Sequence, residues 1–89
     1  MSLMRDTVIT NLTEVSNKKY EGMTSLLYLY REIHPYLNFI KSAIDTELYE
    51  SLKIECDTCH KEFQYGDGEY SENVFNDCIE VIKEVIIVL

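Results

Sequence analysis

The chain has no tryptophan, one proline and three glycines among its 89 residues. So few turn-forming residues leave little room for an all-β fold, which needs a tight turn between every pair of short strands. No window approaches the run of about eighteen apolar residues that a membrane span requires. An apolar h-region behind the N-terminus is also missing, so no secretory signal is read and the expected compartment is the cytoplasm. Only two histidines are present and no glycine-rich phosphate loop, which leaves general acid–base and phosphoryl chemistry without visible apparatus. An enzyme is therefore not expected.

Cations are scarce too. Eight lysines and arginines face sixteen acidic residues, for a net charge of −8. The imbalance lies in one half of the chain. Residues 1–44 carry five basic and four acidic side chains, whereas residues 45–89 carry twelve acidic ones against Lys53, Lys61 and Lys83. Such a surface repels phosphate backbones, whose binding relies on Lys and Arg releasing counterions, so direct nucleic-acid binding is not expected. The same field steers the molecule toward a basic partner, or simply keeps it soluble.

What is abundant is apolar spacing of helical period, in a chain long enough for one domain over residues 1–89 that buries roughly 60–65 % of its unfolded surface. Met1-Ser2-Leu3 ahead of Met4 reads as a cloning remnant, with Met4 the natural start. Met4, Val8, Leu12 and Val15 mark one helical face, with Lys18 and Lys19 suited to its last turn and Gly22 to its stop. Leu26, Leu27, Tyr30 and Ile33 mark a second helix, interrupted at His34-Pro35 because proline disfavours helical geometry in the residue before it. From Pro35 the steps of three and four run unbroken through Leu37, Ile40, Ile44, Leu48, Leu52, Cys56, Cys59 and Phe63, which predicts one long helix. Tyr36, Phe39 and Ala43 fall off that stripe, which either places the helix between two neighbours, the reading favoured, or leaves an exposed aromatic patch. The stretch "QYGDGEY" at 64–70 is a loop, Ser71 is read as the cap of a last helix, and Glu72 suits its positive end. The expected fold is all-α, a small antiparallel bundle of three or four helices.

Within the long helix stands "IECDTCHKEF", residues 54–63, with the order C-x-x-C-H. On a helix Cys56 and Cys59 share the apolar stripe, and Cys78 falls on the core face of its own helix. A free cysteine packs as a small hydrophobe, so core packing is the leading reading and no cofactor is expected. The alternative is a structural zinc site built from Cys56, Cys59, Cys78 and His60 or His34, although the second ligand pair that tetrahedral zinc usually takes is missing. Haem attachment matches the motif formally but needs an oxidising compartment. Redox or nucleophilic use is disfavoured by Glu55, Asp57 and Glu62 and by the nearby helix C-terminus, all of which oppose a thiolate.

Function then rests on surfaces. The reading favoured is a small acidic protein–protein interaction module, of inhibitor, immunity or regulatory type, taking a basic protein partner through Glu47, Glu50, Glu69, Tyr70 and Glu72. In outline it is similar to toxin- or bacteriocin-immunity proteins and small phage-encoded regulators, a likeness of size, charge and class with no shared motif. The C-terminal run Val85, Ile86, Ile87, Val88 and Leu89 is apolar on every side, so it either sits centrally in the bundle or is covered by a second copy or a partner; a homo-oligomer, a homodimer at its simplest, is the reading favoured.

Overall fold

The computed structural model describes residues 3–89, so Met1 and Ser2, on which the reading of Met4 as the natural start bears, lie outside the described residues. Every regular element among the described residues is helical: α1 (Leu3–Ser16), α2 (Thr24–Ile33), a 3-10 turn (His34–Tyr36), α3 (Leu37–Ala43), α4 (Thr46–Tyr65) and α5 (Ser71–Val88). His34 and Leu37 keep right-handed helical backbone, while Tyr36, at φ −102° and ψ 0°, marks the bend. Pro35 fits this turn because its fixed φ is helical and its missing N–H falls where no helical partner is needed. Thus α2, the turn and α3 make one bent arm, and the fold is a bundle of four arms.

The arms alternate in direction around the bundle. The α5 helix packs against α4, α1 and α2, and α4 packs in turn against α2 and α3. Contacts at both ends fix the sense. Arg5 near the start of α1 donates to the Leu89 carbonyl after α5, and Tyr20 beyond the end of α1 bonds Ser71 at the start of α5. The core is one cluster, with Val8, Leu12 and Val15 of α1, Leu26, Leu29 and Ile33 of α2, Leu52, Cys56 and Cys59 of α4, and Cys78, Ile82 and Val85 of α5 fully buried.

Three details depart from expectation. The predicted long helix is broken: Ile44 is extended (φ −131°, ψ 172°), and the Asp45 carboxylate accepts from the Glu47 amide at 3.1 Å to cap α4. The apolar steps continue across this break because Ile44 and Leu48 both pack against the core. Ser71 does not cap α5. Tyr70 holds that position, and the buried Ser71 hydroxyl instead donates to the Gly68 carbonyl at 3.0 Å. Lys18 and Lys19 lie just beyond α1, which ends at Ser16, and Gly22 (φ +98°) turns the chain into α2 instead of ending α1. Tyr36 and Phe39 sit half-buried against the core, with Asn11 of α1 donating to the Tyr36 hydroxyl.

Truncating Ile82 to Ala is expected to cost about 2–5 kcal/mol, because its site is enclosed on every side. Gly22→Ala is expected to cost about 1 kcal/mol through its left-handed backbone. Urea unfolding reads both, and an Ile82→Ala protein as stable as the parent would show that α5 is not the buried spine described above.

Candidate functional site

Cys56 and Cys59 face inward from α4, and Cys78 meets them from α5. All three are fully buried and free. Cys59 and Cys78 lie within hydrogen-bonding reach of each other across the seam. Burial pushes the Cys56 thiol up to about 12, with the neighbouring Cys59 and Asp57 adding to the rise and Lys53 opposing it. The hydrogen bond to Cys59 and then burial hold the Cys78 thiol far above its ordinary range. A thiol held neutral out of water is a poor nucleophile.

His60 does not complete a ligand set. Its ring lies flat on Tyr30 of α2, with centroids 4.0 Å apart and planes at 12°, and His34 approaches the same tyrosine at 5.0 Å. Among the described residues no group of three or more His, Cys, Asp or Glu side chains is placed to hold a metal ion. The C-x-x-C-H order thus places two thiols in the core and an imidazole stacked at its edge.

The five residues expected to make one partner surface are all exposed, but the fold does not bring them together. Glu47 and Glu50 open α4, whereas Glu69, Tyr70 and Glu72 surround the start of α5 at the other end of the bundle. The intervening length of α4 is roughly 25 Å. Glu72 also turns away from α4, toward the residues that follow α1. Of the C-terminal run, Val85 belongs to the core of the bundle itself and Ile86 and Leu89 pack against it. Ile87 and Val88 remain exposed, at 82 % and 54 %, at the end of the bundle where Leu3 and Met4 are exposed as well.

A more continuous acidic surface lies along α4 and α5. Helical spacing puts Asp77, Glu80 and Glu84 on the outer face of α5, on the side nearer α4. Glu55 meets them from α4, and its carboxyl is raised above its ordinary range by burial and then by repulsion from Asp77. The nearest cation along α5 is Lys83, three residues after Glu80. Lys53 is tied to Asp57 at 2.8 Å, Lys61 lies on the other side of the outer face of α4, and Lys83 faces the residues after α1. The sequence signal for this surface was available in the i, i+3, i+7 spacing of Asp77, Glu80 and Glu84.

Compared with family models, curated proteins and solved structures, the chain has no match.

Thiol chemistry tests the seam. None of the three cysteines is expected to react with a thiol reagent in the native protein, and all three should react in denaturant. The pH dependence follows from the raised thiols. The folded state keeps Cys56 protonated up to about 12, while an unfolded thiol ionises near its ordinary value of 9.0. Unfolding then releases protons, so stability should fall as pH rises through that window, by about 1.4 kcal/mol per pH unit per thiol. Denaturant midpoints at neutral pH and at pH near 10 check the sign; an unchanged midpoint would mean that the thiols reach water.

Proposed function

We propose that the chain is a non-enzymatic protein-binding module, working in the cytoplasm, whose α4/α5 face takes a basic protein partner. The observation that carries this reading is the sorting of charge. Glu55, Asp77, Glu80 and Glu84 gather on one side of α4 and α5, while Lys83, the helical neighbour three residues after Glu80, is turned to the other flank of α5. Solubility alone is served by mixed charges. A run of like charges at i, i+3 and i, i+4 costs a few tenths of a kcal/mol per pair, which a merely solvated helix avoids with interleaved lysines. Three free thiols and no disulfide among the described residues suit a reducing compartment. An inhibitor, immunity or regulatory role is the natural use of such a surface, since it steers association and selects partners by charge.

The Glu80→Lys variant separates binding from solubility. It should leave stability within about 0.5 kcal/mol of the parent, since relief of repulsion from Asp77 and Glu84 is offset by a new like-charge neighbour in Lys83. It should also abolish capture of a basic partner that the parent retains from cell extract, with parental binding falling steeply as salt rises. Identical partners captured by parent and variant would overturn the assignment of this face.

Self-association through the bundle end that carries Leu3, Met4, Ile87 and Val88 is a second reading. It is favoured by the exposure of four large apolar side chains at one end of an otherwise charged surface. Sedimentation of the parent as a dimer and of Ile87→Glu as a monomer is the expected result; a monomeric parent would remove this reading and leave the acidic face untouched.

A further inference from the structure

On the opposite flank of α5 from Asp77 lies a cleft of about 560 Å³, between that helix and the residues that follow α1. Its volume is within the roughly 300–1,000 Å³ that small-molecule sites occupy. The Tyr20 ring gives the cleft its apolar floor, backed by Phe75 and Ile79, which are themselves buried at 1 % and 8 % exposure. The floor is set in place: the Tyr20 ring meets Phe75 edge-on at 5.7 Å, and its hydroxyl is bonded to the buried Ser71.

The rim is cationic in a chain of net charge −8. Lys18, Lys19 and Lys83 converge there with the carboxamides of Asn17 and Asn76 and one acid, Glu72. Lys18 is occupied, paired with Glu21 at 3.3 Å and lying over the Tyr28 ring. Lys19 and Lys83 make no ion pair among the described residues, and the two carboxamides make no side-chain hydrogen bond among them. The dipole of α1 accounts for cations at 18 and 19, beside its C-terminus. It does not account for Lys83 in the middle of α5, which stays unpaired although acids are twice as numerous as bases.

We propose that this cleft binds a small organic monocarboxylate with an apolar or aromatic body. The body lies against the Tyr20 ring, which Phe75 and Ile79 hold from beneath. The carboxylate takes charge-assisted hydrogen bonds from Lys19 and Lys83, and Asn17 and Asn76 supply neutral donors beside them. With Lys18 held by Glu21, the remaining charges are two lysines against Glu72, a net of one positive charge that suits a single carboxylate. The site is separate from the acidic face, so either stands if the other fails.

Titration of the ¹⁵N-labelled protein with phenylacetate tests it. Saturable shifts are expected in the amides of residues 16–20 and 72–83. Acetate, which lacks the body, and benzyl alcohol, which lacks the charge, should each bind far more weakly. The K19Q/K83Q double variant changes only exposed positions and should keep the parental spectrum while weakening phenylacetate by roughly tenfold or more. Absence of saturation at millimolar phenylacetate would overturn the proposal, as would an unchanged affinity in the double variant. Acetate binding as tightly as phenylacetate would overturn the role given to the floor.

Discussion

The mutual burial of Cys59 and Cys78 sets how α4 and α5 meet, and the rest of the bundle is arranged around that contact. The distance between packed helices follows from the size of the side chains between them. Thiols are small, so the two longest helices can pack closely along their cysteine-bearing turns, with Leu52 and Val85 enclosed in the same core. Because α5 also contacts α1 and α2, its position relative to α4 fixes the remaining arms. The same burial removes the thiols from chemistry. The two cysteines of the C-x-x-C-H order lie in that seam.

That seam also shapes the surface. Once the inner faces of α4 and α5 are committed, helical spacing decides which charges stand side by side outside. Glu55 comes next to Asp77, and the lysines of both helices fall elsewhere. The Glu55 carboxyl is raised first by its partial burial and then by repulsion from Asp77. That direction makes Glu55 slightly destabilising at neutral pH, since folding favours the protonated acid, and the penalty fades as pH falls through the carboxylate range. Lys83 meanwhile turns to the opposite flank of α5, so one helix separates an acidic face from a cationic cleft.

Much of the fold was legible because apolar steps of three and four survive tertiary packing. Val8, Leu12 and Val15, Leu26 and Ile33, and Leu52, Cys56 and Cys59 are all buried where that spacing put them. The break before α4 was hidden because Ile44 and Leu48 keep the stripe in phase across it; Asp45 followed by Glu47 was the local signal, a cap that spacing alone does not register. Ser71 misled for the opposite reason. It has the chemistry of a cap, but its hydroxyl is drawn to Gly68 and Tyr20 by contacts far away in sequence. Surfaces were read least well. Glu47 and Glu69 are near in sequence terms yet lie at opposite ends of α4, and the stacking of His60 on Tyr30 joins residues thirty apart.

The account stands or falls on the seam, and amide hydrogen exchange under native conditions reads it most directly. Residues 56–59 of α4 and 78–82 of α5 should be the slowest to exchange, opening only with global unfolding, while the short helix α3 exchanges first. If the cysteine-bearing turns exchange as readily as α3, the contact of α4 with α5 is not what organises the bundle.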